Sequence, residues 1–198
     1  MPVPTTELDG CRSAHARLDA AIAWLTDDQA RRPSRLPGWS VGHLLTHIAR
    51  NADSVVRRLD GASRGEVLDQ YAGGVAGRAA DIEAGAHRPA ADLVADVRTS
   101  AAAAERAMTG LAPAAWDARS RNSRGLEEDS RDVVLSRWRE VVLHRGDLGL
   151  HPGPFPWPMP LVEACLPSAL GGLAVRADPT ALWAWTLGRG PAPELGSW

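Results

Sequence analysis

The chain has 198 residues, 44% of them hydrophobic, and a formal net charge of -2 at pH 7. This length predicts one domain with an appendage, and the small charge gives no electrostatic case for binding nucleic acid or an anionic membrane. All 22 basic residues are arginine, so Schiff-base catalysis and any phosphate loop that needs lysine are excluded. Cys11 and Cys165 form neither a disulfide framework nor a CxxC metal site, and we expect two buried small side chains.

Four amphipathic helices are predicted along the first three quarters of the chain. Apolar residues three and four apart indicate a first helix from Leu8 to Leu25, and "RRPSRLPGWS" ends it with two prolines and a glycine. Ser40 is a suitable N-cap for a second helix that ends at Gly61, and a loop with a short helix follows over residues 61–90. Two more helices are predicted over residues 90–111 and 130–150. Without a strand pattern, this order predicts a mainly α fold, a four-helix bundle.

The segment "HPGPFPWPMP" divides the chain. Its alternating prolines disfavour a helix and predict a stiff, extended connector. We therefore expect a helical bundle over residues 1–151, followed over residues 152–198 by the proline-rich connector and a short C-terminal extension of α or α+β structure. In that extension, Asp178 before Pro179 predicts a helix start. No secretory signal or membrane span is visible, so we expect a soluble cytoplasmic protein, either a monomer or a homodimer.

The fourth predicted helix carries candidate metal ligands in "RWREVVLHRGDLG". Glu140 and His144 are one turn apart at the edge of its apolar stripe, where both can reach one ion. On the second helix His47 also lies at the edge of the apolar stripe, whereas His43 is turned further towards solvent. Two histidines and one carboxylate on facing helices of a bundle would suit a catalytic zinc site. Asp147, one turn past His144, could orient its imidazole.

A simpler interpretation remains open for these residues. A glutamate and a histidine four residues apart on an arginine-rich helix are usually a solvated pair, and Arg137, Arg139 and Arg145 could neutralise the glutamate. Trp39 and Trp138 are most simply aromatic residues of the core.

Three stretches resemble a known family. "LPGWSVGHLLTHIARNADSVVRRLDGA" (36–62), "YAGGVAGRAADIEAGAHRPAADLVADVRTSA" (71–101) and "RWREVVLHRGDLGL" (137–150) are similar, in this order, to the mycothiol-dependent maleylpyruvate isomerase N-terminal domain. That family belongs to the DinB-like metal-binding four-helix bundles. The resemblance covers most of residues 1–151, and it implies a divalent metal, typically zinc, held by His47, Glu140 and His144.

The resemblance also implies thiol chemistry. Family members use mycothiol, and a metal-bound thiol is deprotonated at neutral pH. In the isomerases the thiolate would add to the cis double bond of maleylpyruvate, rotation would follow, and elimination would release fumarylpyruvate. The implied partners are therefore a small thiol and a small unsaturated acid. The family predicts Arg78 and Arg189 as catalytic carboxylate-binding residues, with Arg88 and Asn51 as cofactor contacts. The alternative for these arginines is that they are solvated charges at helix ends.

The C-terminal region departs from the family pattern, because only about 40 residues follow the proline connector. This shortening leaves two further functions open. One is a mycothiol S-transferase that conjugates the thiol to an electrophile. The other is a non-catalytic, metal-binding regulatory module.

Overall fold

The structure, a computed structural model, describes residues 3–150 and 156–196. The chain divides into two compact units, Met1–Pro156 and Trp157–Trp198. Four long helices build the first unit: α1 (Thr5–Ile22), α3 (Val41–Ser63), α5 (Ala90–Thr109) and α6 (Ser130–Asp147). The shorter helices α2 (Asp27–Arg31) and α4 (Gly74–Gly85) lie between them in sequence. The predicted mainly α four-helix bundle is confirmed.

The four long helices pack in a closed ring. In this ring α3 contacts α5 and α6, and α1 contacts the same two helices from the other side. The apolar stripes face one another across the ring, where they bury the largest aliphatic side chains: Leu18, Ile22, Leu44, Leu45, Ile48, Leu59, Leu93, Met108. This burial is the main source of stability for a bundle of this kind.

The two helices that matter most for the candidate site begin at side-chain caps. Ser40 Oγ accepts a hydrogen bond from the backbone N–H of His43, and His43 Nδ1 accepts one from the backbone N–H of Ser40. At the start of α6 the side chain of Asp129 accepts hydrogen bonds from Arg131 and Asp132. Such caps satisfy backbone N–H groups that have no partner inside the helix, and so fix where the helix starts.

A short β-hairpin separates α5 from α6, where the sequence predicts no strand. A 3-10 helix (Pro113–Asp117) leads into β1 (Arg119–Arg121), which pairs antiparallel with β2 (Glu127–Asp129). Three residues per strand are too few to show the alternation on which strand prediction relies. Gly125, with φ of +77°, allows the chain to reverse between the strands.

The regular secondary structure in the described residues of the second unit is all helical. It contains α7 (Met159–Gly171), a 3-10 helix (Gly172–Val175) and α8 (Pro179–Thr186). The predicted helix start at Asp178 is confirmed, because its side chain caps α8. Half of the predicted connector (151–155) lies outside the described residues, and its last proline, Pro160, stands in the first turn of α7. In the part of the chain that the structure describes, no helix has the length and apolarity needed to cross a membrane.

An arginine lies in the centre of the bundle. Arg137 of α6 is 1% exposed, and its Nη1 donates hydrogen bonds of 2.8 Å to Ile48 O and Asn51 Oδ1 of α3. Its Nε donates to His15 Nε2 of α1 at 3.1 Å. The suggestion that Arg137 neutralises Glu140 on a solvated helix face is therefore wrong, because the guanidinium joins three helices inside the core.

His15 completes this network in its neutral form. Its Nε2 accepts from Arg137, which leaves the proton on Nδ1, 2.7 Å from Glu105 Oε1. Burial, and then the charge of Arg137, lower the pKa of His15 to about 3. A second proton on the ring would sit on Nε2, where its N–H would face the N–H of Arg137 Nε.

We predict that His15 makes the protein sensitive to acid. Between pH 6.5 and about 3 the unfolded chain binds a proton at His15 that the folded chain excludes, so stability falls as pH falls. This contribution is up to about 1.4 kcal/mol per pH unit. The variant His15→Gln, whose amide can donate to Glu105 and accept from Arg137, removes it. Urea unfolding between pH 7 and pH 4 should give a shallower pH dependence for this variant than for wild type. The exposed-site control His87→Gln should keep the wild-type dependence, and an unchanged dependence in His15→Gln would contradict the assignment.

Candidate functional site

Helices α3 and α6 bring three potential metal ligands together inside the bundle. His47 Nε2 of α3 lies 3.2 Å from Glu140 Oε2 and 3.2 Å from His144 Nε2 of α6. The third side of this triangle, His144 Nε2 to Glu140 Oε2, is 3.4 Å. His47 is buried, and the other two are half-buried. The one-turn spacing of Glu140 and His144 on α6 places both opposite His47.

These distances match the geometry of a tetrahedral cation. With bonds of about 2.0 Å to zinc, adjacent ligand atoms of a tetrahedron are about 3.3 Å apart. Each pair among His47, Glu140 and His144 agrees with this value to about 0.1 Å. Two imidazole nitrogens and a carboxylate oxygen are also donors that zinc and related divalent metals accept. The residues present therefore fit a divalent metal with one position left open.

Both imidazoles are oriented through their second nitrogen. Asp147 Oδ2 lies 3.0 Å from His144 Nδ1, in the orienting position that the sequence suggests for it. On the other ring, Arg78 Nη2 of α4 donates to His47 Nδ1 at 3.1 Å. Both Nε2 atoms therefore face the shared centre, and each Nδ1 faces a charged partner outside it.

The surroundings shift the pKa values of His47, Glu140 and His144 in different directions. Burial lowers the pKa of His47, and this effect outweighs its hydrogen bond with Glu140. Burial alone would raise the pKa of Glu140, but hydrogen bonds to both imidazoles hold it well below its usual range. For His144 burial is outweighed by hydrogen bonds to Asp147 and Glu140, which raise the pKa to about 9. The centre therefore combines an ionised carboxylate and a neutral His47 with a strongly basic His144.

A polar cavity of about 210 Å³ opens beside this centre. Its wall contains His47, Glu140 and three arginines, Arg78, Arg124 and Arg139. The other lining residues are mostly neutral and polar: Asn51, Gln70, Tyr71, Asn122, Ser123, Ser136, Glu128. The charge of Glu128 is balanced by Arg58, whose Nη2 donates to it at 2.8 Å. The cavity can therefore bind a small anion next to the three ligand side chains.

Arg78 of α4 lines the cavity beside this centre. Its guanidinium carbon is 5.9 Å from the ring of Trp39 and 5.7 Å from the ring of Tyr71, so two aromatic faces flank it. Trp39 is not the core residue that the sequence suggests. It is half-exposed, stacks against His43 and lies edge-on to His47, whereas Trp138 is buried as expected.

Of the remaining predicted residues Asn51, Arg88 and Arg189, only Asn51 lines the cavity. Asn51 is buried, lines the cavity and accepts a hydrogen bond from Arg137. Arg88 lies outside the cavity lining, and it donates to Gly85 O and, at 2.6 Å, to Asp96 Oδ2. Arg189 follows α8 in the second unit and is exposed. The cofactor and carboxylate-binding roles of Asn51, Arg88 and Arg189 stay predictions.

The hairpin contributes to the cavity, which the sequence pattern does not predict. Asn122, Ser123 and Arg124, between β1 and β2, form part of its wall. The available signal was the segment "NSRG", in which an asparagine and a glycine three residues apart are typical of a β-turn. Asn122 behaves accordingly, because its side-chain oxygen accepts from the backbone of Arg124 and Leu126.

The fold and the site define a class of protein: a four-helix bundle with two histidines and a carboxylate converging between facing helices. The sequence model of the mycothiol maleylpyruvate isomerase N-terminal domain matches residues 11–149. The chain belongs to this family, as the sequence motifs predict.

Comparison with solved structures agrees on the DinB-like bundle. Two crystal structures of a mycothiol-dependent maleylpyruvate isomerase, one a histidine-to-alanine mutant, superpose with TM-scores of 0.77 and 0.76. Identity is 22% and 21%, and the match covers 82% of this chain and 67% of each of those chains. No curated protein sequence shows a significant match.

Proposed function

We propose that the protein is a metal- and mycothiol-dependent isomerase that converts maleylpyruvate or a related cis-unsaturated acid into its trans isomer. The observation that carries the proposal is the convergence of His47, Glu140 and His144 at tetrahedral spacing beside the cationic cavity. Membership of the mycothiol maleylpyruvate isomerase family supports the choice of thiol and of substrate class.

His47, Glu140 and His144 would hold the metal, and Asp147 would keep the His144 ring in place. A divalent cation at this position would stabilise a thiolate at neutral pH, which is the nucleophile that reversible addition to a double bond requires. The polar wall of the cavity offers hydrogen bonds to the hydroxyl-rich mycothiol. The thiol is returned at the end of the reaction, so it acts as a cofactor.

Arg78 would change partner when the metal site is filled. An imidazole that binds a cation through Nε2 carries its proton on Nδ1, and Nδ1 of His47 is the atom that now accepts from Arg78. Two N–H donors would then face each other. Arg78 is thereby released towards the cavity, where its planar guanidinium can pair with a substrate carboxylate.

The arginines Arg124 and Arg139 provide further positive charge on the same wall. Maleylpyruvate carries two carboxylates, and two arginines on one wall could hold both while the double bond lies near the thiol. This arrangement would also favour the enolate charge that develops next to the double bond during addition. By resemblance, Arg189 would add a further carboxylate contact, and Arg88 and Asn51 would support cofactor binding.

A second candidate function could use the same three ligand side chains. The solved isomerases extend well beyond the region they share with this chain, since the match covers 67% of their length. A centre with these metal ligands could activate mycothiol for transfer to an electrophile instead of returning it. Such an S-transferase needs the same thiolate but no elimination step.

We predict that the protein binds one zinc ion that survives dialysis against a chelator. The substitutions His47→Ala, Glu140→Ala and His144→Ala should each abolish it, because each removes one of three ligands. Asp147→Asn should weaken binding by about 10- to 100-fold through loss of imidazole orientation. Elemental mass spectrometry of protein purified without a histidine tag gives the readout. His87→Ala is the matched histidine control and should retain the ion, whereas retention in the three ligand variants would contradict the site.

Arg78→Ala should lower kcat/KM for maleylpyruvate by about 10- to 100-fold, because a charged hydrogen bond contributes about 1.5–3 kcal/mol. The metal content should stay at the wild-type level, and Arg78→Lys should recover part of the loss by restoring the charge. Arg106→Ala, an exposed arginine of α5, is the matched control. Wild-type kinetics in Arg78→Ala would remove this residue from the carboxylate-binding role.

Product analysis separates the two candidate functions. For the isomerase we expect fumarylpyruvate to form in many turnovers while the concentration of free mycothiol stays constant. A transferase would instead consume one thiol per turnover and leave a stable thioether. Mass spectrometry of reactions with maleylpyruvate and with simple electrophiles measures both quantities. Accumulation of a thioether with no fumarylpyruvate would replace the first proposal by the second.

A further inference from the structure

A second group of potential ligands lies one turn away from the first on α3. His43 Nε2 is 3.3 Å from Glu83 Oε2 of α4, and Glu83 Oε1 is 3.6 Å from His87 Nε2. One ligand atom from each of the three residues can be chosen so that all lie within 4.8 Å of one another. His43 is half-buried, whereas Glu83 and His87 are exposed.

The two groups share one arrangement. In each, a histidine of α3 faces a glutamate and a histidine four residues apart on another segment: "EVVLH" (140–144) on α6 and "EAGAH" (83–87) at the end of α4. Trp39 lies between the two α3 histidines, stacked on His43 and edge-on to His47. Two imidazoles and a carboxylate are again a donor set for zinc and its neighbours among the transition metals.

From this geometry we infer that His43, Glu83 and His87 form a second, solvent-exposed site for a divalent transition metal, separate from the centre at His47, Glu140 and His144. The His43–Glu83 distance already equals the spacing of about 3.3 Å expected around tetrahedral zinc. His87 has the freedom to close the remaining gap, because its side chain is 73% exposed. Solvent would complete the coordination of the ion.

The His43 ring is held by the N-cap of α3. Its Nδ1 lies 2.7 Å from Ser40 Oγ, which can accept a proton carried on that nitrogen. A metal ion at Nε2 would place the ring proton on Nδ1, where Ser40 Oγ could accept it in exchange for the hydrogen bond that Nδ1 now accepts from the Ser40 backbone N–H. Ser40 therefore has the position of an orienting partner, comparable to that of Asp147 beside His144.

The helices approach closely at this place. A Cβ added to Gly42 would lie 2.1 Å from the carbonyl oxygen of Ala86, and one added to Gly85 would lie 2.5 Å from the side chain of Thr46. Only glycine permits this contact, so the backbone fixes the end of α4 against α3. The ligand side chains of the two helices are thereby brought within reach before a metal binds.

The site would add a second anchor to α4, whose end is already packed against α3. Ile82 is the only residue of α4 that is fully buried, and α4 also carries Arg78. A metal ion between His43 and the end of α4 would restrict the movement of this helix and so hold Arg78 near His47. Exposure makes the second site weaker and more readily exchanged than the first.

Calorimetry with Zn²⁺ on untagged protein tests the inference. The chain is first loaded with one equivalent of zinc and then titrated with more. Wild type should bind a second equivalent, and Glu83→Gln and His87→Ala should each weaken this event by at least about 10-fold. Glu127→Gln, an exposed glutamate of β2, is the matched control and should leave it unchanged. The site would be overturned if wild type bound no second equivalent of zinc. It would also be overturned if Glu83→Gln and His87→Ala bound the second equivalent as tightly as wild type.

Hydrogen exchange gives an independent readout. The second equivalent of zinc should slow amide exchange in α4 of wild type and leave α4 of His87→Ala unchanged. Equal protection of α4 in both proteins would contradict the fastening role. The centre at His47 is tested separately, because His144→Ala removes the tight ion and leaves the weaker event at His43, Glu83 and His87 in place.

Discussion

Burial of ionisable groups between α3 and α6 is the constraint on which the rest of the structure depends. A charge moved from water into a protein interior is costly unless it is paired or bound to a metal. Along α6, Arg137, Glu140 and His144 all turn towards the bundle, and each has partners on another helix. Nη1 of Arg137 donates to backbone and side-chain oxygens of α3 and Nε donates to His15, whereas Nη2 is buried without a hydrogen-bond partner. Glu140 and His144 instead face His47. Only a proton or a cation can balance the three electron-pair-donating atoms that converge there.

The buried cluster around Arg137 has a structural role, and the cluster around His47 has a chemical role. The cluster around Arg137 contains a histidine held neutral and a guanidinium without access to solvent, so it locks α1, α3 and α6 together. The cluster around His47 opens to a cavity, from which a ligand can reach the three side chains. Asn51 touches both, since it accepts from Arg137 and lines the cavity. Rigidity of the first cluster thus supports the positions of the ligands in the second.

Much of this could be predicted from the sequence, because it depends on helical spacing. The positions of Glu140 and His144, four residues apart at a stripe edge, follow from the 3.6-residue period, and so does the choice of His47. Other features depend on contacts between distant segments. His15 and Arg137 are hydrogen-bonded although they are 122 residues apart in sequence. The local pattern of neither helix predicts this contact. The cavity wall formed by Asn122 and Arg124 depends on a hairpin too short to be seen as alternation. The contact of His87 with His43 likewise depends on the packing of two distant segments.

X-ray absorption at the zinc edge tests the central claim most directly. The variant Glu83→Gln/His87→Ala, loaded with one equivalent of zinc, confines the ion to the centre at His47. We expect only nitrogen and oxygen neighbours at about 2.0 Å, with outer scattering from two imidazoles, and one sulfur at about 2.3 Å after mycothiol is added. A spectrum with a single imidazole, or one that does not change when mycothiol is added, would contradict the proposed role of His47, Glu140 and His144.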